Sequence, residues 1–346
     1  MLMNPLIWST LISSLLISTI ITMSSNHWLL AWLGLELNTL SILPAIMKSH
    51  HPRATEAATK YFLIQVTAAT LILMASTTNA WQTGQWSITH TTPTMTLLVT
   101  LAIMLKLGTA PMYMWYPHVL QGTTMNTALL ISTWQKFAPL ALLYMTHNHL
   151  NSTTLLMLGL MSTTIGGWAG LNQTQTRTLM AYSSIAHMGW LITAITMSPS
   201  LATVTMLVYT MTTTATFLPL ATTTKTMTDI GTTWPLSPTT LTVTMITLMS
   251  LGGLPPLTGF MPKWLILKEL TTMELPLVAT LLLMTSLPSL YFYIRLAYLT
   301  LLTTPPTTTN TEHKWRFKTN QLKLTAPTIA TSIMLLPLTM VLYTTV

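Results

Sequence analysis

Four charged residues, Glu36, Lys106, Lys136 and Lys263, occur within long apolar stretches of the sequence. A carboxylate and an ammonium group can each bind and release a proton. In apolar surroundings the charged form of either group is costly, so a change in a neighbouring charge can move the proton on or off. These residue types therefore indicate proton or ion movement as the chemistry that this protein could carry out.

Three of these charges occur at similar depths in their stretches. Glu36, Lys106 and Lys136 each follow the predicted start of a helix by nine to twelve residues, which is about 15 Å at about 1.5 Å per residue. That distance is about half of the roughly 30 Å hydrocarbon core of a bilayer. A charge there costs at least about 2.5 to 3.5 kcal/mol. Several charges at one depth therefore favour a proton or ion path.

Buried ion pairs that only hold helices together are the alternative interpretation. A pair between Glu36 and Lys106 would fit it, but three lysines and one glutamate cannot all be neutralised by pairing with each other. His187, in YSSIAHMGW, titrates near neutral pH and could carry a proton between lysines. Packing against a neighbouring helix explains this histidine equally well. Glu56 and Lys60, four residues apart near a helix start, are interpreted as a local helix-stabilising pair.

Two of the lysines lie beside predicted helix breaks. In MLKLGTAPMYMW, Pro111 lacks an N–H and its ring collides with the carbonyl four residues earlier, so the helix should end one residue after Lys106. In SLGGLPPLTGFMPKW, just before Lys263, the interrupting residues are Gly252, Gly253, Pro255 and Pro256. Pro139, three residues after Lys136, predicts a weaker irregularity.

Breaks of this kind restrict where the two segments can lie. They are tolerated at membrane depth only where the backbone faces protein or a water-filled cavity. Pairs of broken helices are typical of transporters, where they form ion sites near the membrane centre and indicate internal repetition of the chain. We therefore predict irregular, protein-lined or water-lined backbone at 108–111 and 252–256.

The stretches that hold these residues recur along the whole chain. Half of the residues are hydrophobic, mean hydropathy is +0.56, and 6% are charged, whereas about 25% are charged in a soluble domain. Apolar segments long enough to span a bilayer lie at 5–24, 27–47, 57–77, 94–116, 125–146, 152–171, 179–196, 201–222, 238–270, 274–296 and 326–345. We therefore predict an all-α polytopic membrane protein with about eleven transmembrane helices. It should form a single membrane domain over 1–346, with 303–323 as a polar connecting loop.

The loop charges predict the orientation of these helices. On the N-terminal side the loops hold Lys48, Arg53, Arg177, Lys225, Lys314, Arg316, Lys318 and Lys323. The opposite loops, 25–26, 78–93, 147–151 and 197–200, hold no Lys or Arg. Positive loops stay on the side of synthesis, so the N-terminus should lie there. An odd number of spans sends the C-terminus to the other side.

Composition and motifs exclude several function classes. The chain has no cysteine, and its nine histidines show no close-spaced metal-ligand pattern. No basic cluster is interleaved with aromatic residues, so nucleic acid is not an expected partner. We find no nucleotide-binding glycine loop, iron–sulfur ligand set or flavin site. The chain is therefore expected to bind no metal or cofactor, and any redox chemistry should occur elsewhere.

Six segments resemble one protein family closely: NHWLLAWLGLELNTL, HPRATEAATKYFLIQ, MLKLGTAPMYMWYP, STWQKFAPL, YSSIAHMGW and SLGGLPPLTGFMPKW. They are similar to the antiporter-like membrane subunits of mitochondrial NADH:ubiquinone oxidoreductase, respiratory complex I, in its animal form. The resemblance implies two inverted five-helix repeats, each with a broken helix. It also implies that Glu36 and Lys106 form the family's glutamate–lysine pair. Lys136 would be the central connecting lysine and Lys263 the lysine of the second broken helix.

The same resemblance implies a function and a location. The function would be proton translocation across the mitochondrial inner membrane, coupled to electron transfer from NADH to ubiquinone. Other subunits would handle NADH, FMN, the iron–sulfur clusters and ubiquinone, so this chain would be part of an enzyme without holding a redox site. Its partners would be the adjacent antiporter-like and small membrane subunits, together with membrane lipids. The positive face would be the matrix, with the N-terminus there and the C-terminus in the intermembrane space.

Two further interpretations stay open at this point. A secondary cation/proton antiporter subunit would carry the same lysines and helix breaks. A structural membrane subunit without its own proton path would use the charges only to join helices. Bacterial members of the family have fourteen helices, whereas this chain has about eleven and begins at what would be the fourth. Neighbouring subunits or lipid should therefore cover one flank.

Overall fold

The computed structural model describes residues 5–47, 51–221, 226–235, 237–306, 325–337 and 343. Within these ranges the α-helices are α1 Pro5–Ser24, α2 Trp28–Ile46, α3 Pro52–Thr83, α4 Pro93–Leu107, α5 Trp115–Gly122, α6 Met125–Ser132, α7 Phe137–Thr146, α8 Ser152–Gly170, α9 Thr176–Met197, α10 Pro199–Leu220, α11 Pro238–Gly252, α12 Phe260–Thr272, α13 Pro276–Leu302 and α14 Thr325–Met334. Short 3₁₀ helices occupy Trp134–Lys136, His147–His149 and Thr228–Thr233.

The all-α prediction is confirmed, and each of the eleven predicted segments contains at least one helix. Five helices, α1, α2, α3, α10 and α13, are long and apolar enough to cross a membrane. The total number of spans stays a prediction. Threonine is tolerated inside these helices because its hydroxyl bonds back to the preceding turn, as Thr100 does to the Leu97 carbonyl at 2.8 Å.

Proline and glycine define the ends of several helices. Proline occupies one of the first two positions of α3, α4, α10, α11 and α13, where its missing N–H would have had no helical partner. Gly84, Gly108 and Gly253 follow α3, α4 and α11 with positive φ, a backbone conformation that glycine adopts without steric cost. The last two of these glycines begin the helix breaks described below.

Part of the predicted topology lies outside the described residues. This applies to most of the 303–323 loop and to Lys48, Lys225, Lys314, Arg316, Lys318 and Lys323. It also applies to residues 1–4 and 344–346. The orientation of the termini therefore stays a prediction.

The chain forms two compact units, Met1–Leu158 and Gly159–Val346. In the first unit, α1 packs along α2, and α3 packs against α2, α4 and α5. In the second unit, glycine allows α8 and α9 to approach closely. A Cβ at Gly166 of α8 would lie 2.6 Å from the backbone nitrogen of Ala186 in α9. Small residues at such crossings are typical of membrane helices. The single membrane domain over 1–346 stays a prediction.

Candidate functional site

The first predicted helix break is confirmed. Helix α4 ends at Leu107, Gly108 has φ +69°, and the backbone is not helical again until Trp115. The N–H of Thr109 donates to the Met104 carbonyl at 3.1 Å. The peptide bond between Ala110 and Pro111 is cis. Lys106 therefore lies in the last turn of a half-helix, where backbone carbonyls lack helical partners.

Side chains from neighbouring helices satisfy carbonyls at the end of α4. The amide of Gln65 in α3 donates to the Lys106 carbonyl at 3.4 Å. The indole N–H of Trp115 in α5 donates to the Leu105 carbonyl at 3.2 Å. The side chain of Lys106 is 6% exposed, and its Nζ is buried without a hydrogen-bond partner among the described residues. The backbone of this half-helix is therefore fixed while the ammonium group is not.

Glu36 in α2 lies near Lys106, as the predicted pair requires. Its carboxylate interacts electrostatically with Lys106 and with the Tyr61 hydroxyl. Within the described ranges, however, the two charged groups form no ion pair within 4 Å, and one carboxylate oxygen of Glu36 is buried without a hydrogen bond. The structure thus places the two groups within electrostatic range without an ion pair, and their function as a pair stays a prediction.

Lys136 occupies an irregular backbone segment of its own. The 3₁₀ turn Trp134–Lys136 separates α6 from α7, so the interruption includes the lysine itself and does not lie at Pro139. Lys136 is 2% exposed, and its Nζ lies 5.1 Å from the centre of the Tyr116 ring. An aromatic face at this distance attracts a cation. Lys106 and Lys136 line the same cavity, so the structure places these two predicted residues at one site.

The second predicted break is also confirmed, and it is built differently. Helix α11 ends at Gly252, Gly253 has φ +81°, and α12 begins at Phe260. Pro255 and Pro256 lie in the intervening non-helical segment. Lys263 in the first turn of α12 is partly buried and donates to the Gly252 carbonyl at 2.9 Å. A cation at the carboxyl end of α11 is favourable because the helix dipole is negative there.

His187 and Trp190 lie one turn apart on α9. The ring of His187 packs against the Tyr209 ring, with 5.6 Å between ring centres. The ring of Trp190 lies 6.0 Å from Lys263 Nζ. Packing of His187 in the helix bundle is thus observed, and its role in carrying protons stays a prediction. In the part of the chain that the structure describes, no group of three His, Asp or Glu side chains is arranged to hold a metal ion.

Comparisons with known proteins identify the family. Residues 25–289 match the family model described as NADH:quinone oxidoreductase/Mrp antiporter, and residues 290–343 match NADH dehydrogenase subunit 2 C-terminus. The chain is 50% identical to NADH-ubiquinone oxidoreductase chain 2 of Squalus acanthias, covering 97% of this chain and 98% of that protein. It is also 50% identical to the chain of the same name from Gallus gallus, covering 99% of each. This chain belongs to the NADH-ubiquinone oxidoreductase chain 2 family.

The fold is also that of a solved relative. A chain in the structure of respiratory complex I from Thermus thermophilus with bound aureothin superimposes with a TM-score of 0.79 at 25% identity. The match covers 94% of this chain and 78% of that one. The resemblance seen in the sequence segments is therefore confirmed. All four predicted charged residues lie in the region that matches the antiporter family model.

The site in this member of the chain 2 family also contains polar residues that were not predicted from the sequence. Gln135 donates to the Asn38 side chain at 3.2 Å and to its backbone carbonyl at 3.3 Å, and it accepts from the Tyr61 hydroxyl at 3.5 Å. The Ser18 hydroxyl donates to the Asn38 side chain at 3.5 Å. This Ser18–Asn38–Gln135–Tyr61 network is buried, and three of its members line the cavity of Lys106 and Lys136. The sequence feature that could have indicated this network is the presence of two side-chain amides, those of Asn38 and Gln135, inside apolar segments.

Proposed function

We propose that this chain is a core membrane-arm subunit of respiratory complex I that translocates protons across the mitochondrial inner membrane. The translocation would be coupled to electron transfer from NADH to ubiquinone, so the chain is a subunit of the proton-translocating NADH:ubiquinone reductase. The observation that carries this proposal is the buried ammonium of Lys106, which lies near the Glu36 carboxylate at a helix break without pairing to it. Such an arrangement suits proton exchange better than helix fastening.

In the first unit, Lys106, Glu36 and Lys136 would have different functions in moving a proton. Lys106 binds the proton at Nζ, and the Glu36 carboxylate offsets the charge that results. Lys136 receives the proton across the shared cavity, where the Tyr116 ring stabilises its charged form. This cavity has room for only about one water molecule. Transfer between the two lysines therefore requires a side-chain movement or the entry of further water.

Lys263 is the proton-binding group of the second unit. Its hydrogen bond to the Gly252 carbonyl stabilises the protonated form, because an ammonium group forms a stronger, charge-assisted hydrogen bond than a neutral amine does. His187 would be an additional proton carrier, and its packing against the Tyr209 ring would hold it in place. The helix breaks at Pro111 and at Gly252, Gly253, Pro255 and Pro256 give both units carbonyls without helical partners, which polar side chains or water can reach.

The chain would form a single multi-pass domain of the inner membrane, with its N-terminus in the matrix and its C-terminus in the intermembrane space. The one-sided distribution of loop Lys and Arg supports this orientation. Its neighbours would be antiporter-like and small membrane subunits together with lipid. It would bind no cofactor, since NADH, FMN, the iron–sulfur clusters and ubiquinone would belong to other subunits.

The antiporter and scaffold alternatives make different predictions for the Glu36–Lys106 pair. If the pair only held helices together, removing one charge would leave the other buried without a partner and would lower stability by about 3 to 5 kcal/mol. Removing both charges would then largely restore function. If the chain exchanged a cation for protons, transport would follow a cation gradient without NADH oxidation. Proton translocation driven by NADH would exclude the antiporter alternative, and loss of translocation in the variant that lacks both charges would exclude the scaffold alternative.

The experiment compares charge-neutral variants in the assembled complex. Lys106→Met and the double variant Glu36→Gln with Lys106→Met should both assemble, yet proton uptake by sealed vesicles and NADH:quinone reduction should both fall. Lys268→Met, the same change at an exposed lysine of α12, is the matched control and should be normal. Since the mitochondrial gene is hard to edit, a bacterial relative with matching residues is a suitable host. Full pumping by an assembled double variant would refute the proposal.

A further inference from the structure

A second cavity, of about 240 Å³, lies in the first unit between the beginning of α3 and the end of α5. Its polar lining consists of Arg53, Glu56 and Lys60 from α3 with His118 and Gln121 from α5. Gly122 allows the two helices to meet there, because a Cβ at this position would lie 2.7 Å from the Arg53 carbonyl oxygen. The proton-exchange proposal makes no use of this cavity.

Positive groups outnumber negative ones around this cavity. Lys60 forms an ion pair with Glu56, the single carboxylate in the lining. Arg53 has no carboxylate within 4 Å among the described residues, although both Arg53 and His118 lie close enough to Glu56 to interact with it electrostatically. The planar guanidinium of arginine fits a phosphate group through parallel N–H donors. Arg53 also belongs to the first turn of α3, where the helix dipole favours an anion.

Exposed apolar side chains lie about one helical turn from two of the residues that line the cavity. Leu63 follows Lys60 by three residues in α3, and Met114, which has helical backbone angles, precedes His118 by four. Each therefore lies on the same side of its segment as that basic residue, further into its predicted span. The exposed fraction is 63% for Leu63 and 64% for Met114. A polar cavity with an adjoining apolar surface matches the two parts of a phospholipid.

We propose that this cavity binds the phosphate group of an anionic phospholipid. Arg53 and Lys60 would be its cationic ligands, and the acyl chains would lie against Leu63 and Met114. Basic pockets between membrane helices on the matrix or cytoplasmic side suit anionic headgroups, and the proposed topology places Arg53 on the matrix side. Glu56 opposes binding, because its carboxylate repels the phosphate and holds Lys60. This lipid site does not depend on proton translocation by the chain, so either proposal can fail without the other.

The test uses the purified complex that contains this chain, exchanged into phosphatidylcholine and supplied with a photoreactive phosphatidylglycerol. Illumination should label the peptides that contain Leu63 and Met114. Arg53→Gln and Lys60→Gln should each lower this labelling about fivefold, the usual contribution of one basic residue beside anionic lipid. Glu56→Gln should increase it, because the change removes the repulsion and releases Lys60. A purely helix-stabilising role of the Glu56–Lys60 pair predicts no such increase.

Controls distinguish a bound phospholipid from a soluble anion and from a protein neighbour. These changes affect side chains at the surface, so the variants should assemble, and the yield of intact complex verifies this. Lys268→Gln changes an exposed lysine elsewhere and should leave labelling unaltered. Equal labelling of the Arg53→Gln and unaltered complexes would overturn the proposal. So would loss of labelling in millimolar inorganic phosphate, which would assign the cavity to a soluble anion, or crosslinking to a neighbouring subunit in place of lipid.

Discussion

The lysines of the two broken helices differ in their hydrogen bonding. In the first, Lys106 belongs to the half-helix that ends, Gln65 and Trp115 satisfy the nearby carbonyls, and the ammonium has no hydrogen bond among the described residues. In the second, Lys263 comes from the half-helix that begins and donates to the last carbonyl of the preceding one. The same combination of break and lysine thus produces one group poised for exchange and one that also supports the backbone.

The largest expected difference follows from removing each lysine. Lys263→Met should lower the free energy of unfolding by about 1.5 to 3 kcal/mol, since a charge-assisted hydrogen bond is lost and the Gly252 carbonyl is left without its donor. Lys106→Met should leave stability unchanged or higher, because it removes a buried ammonium without a hydrogen-bond partner. Thermal unfolding of the purified complexes measures both, with Lys268→Met as the control. Equal destabilisation by the two variants would remove the distinction between the breaks.

The sequence predicts the breaks because their causes are local. Pro111 and the run from Gly252 to Pro256 act on their own backbone, and Lys106 and Lys263 are conspicuous in apolar surroundings. The sequence does not predict that Lys263 reaches back to Gly252, since this depends on how the chain turns between Gly253 and Gly259. Nor does it predict the interruption at Trp134–Lys136, where no proline or glycine marks the end of α6.

The hydrogen-bonded network was beyond prediction for a different reason. Ser18, Asn38, Tyr61 and Gln135 come from four separate elements, and a helical pattern does not state which faces of distant helices meet. The polar residues near Asn38, namely Glu36, Thr39 and Ser41, lie on several faces of α2, so the hydrophobic periodicity that usually orients a helix is weak there. Packing in three dimensions alone brings these amides together with the two lysines of the first unit.

A smaller effect is expected from glycine substitutions that test the second break. Gly253→Ala should cost about 1 to 2 kcal/mol for a side chain at positive φ, and it should also displace Lys263, because the new Cβ would lie 2.9 Å from its Nζ. Gly84→Ala is the matched control: φ is +72° there and no atom lies within 4 Å of the added Cβ. Proton translocation should fall in the first variant only. Similar pumping by both would show that the position of Lys263 is immaterial.

The smallest expected effect on stability concerns the polar network beside Lys136. Gln135→Leu removes hydrogen bonds of 3.2 to 3.5 Å, and a neutral hydrogen bond contributes about 1 kcal/mol net. Water can enter the neighbouring cavity to replace part of that loss. The stability change should therefore be about 1 kcal/mol, while proton translocation falls more, because the backbone that carries Lys136 is no longer tied to Asn38 and Tyr61.

A control change at a hydroxyl outside this network shows whether the loss is specific. Thr100→Val removes a buried side-chain hydrogen bond that stays within its own helix and should leave proton translocation intact. Gln135→Glu keeps an acceptor for Tyr61 but places a new negative charge beside Lys136, so it should impair translocation without freeing Tyr61. If Gln135→Leu pumped normally, the polar network would not be needed to position Lys136.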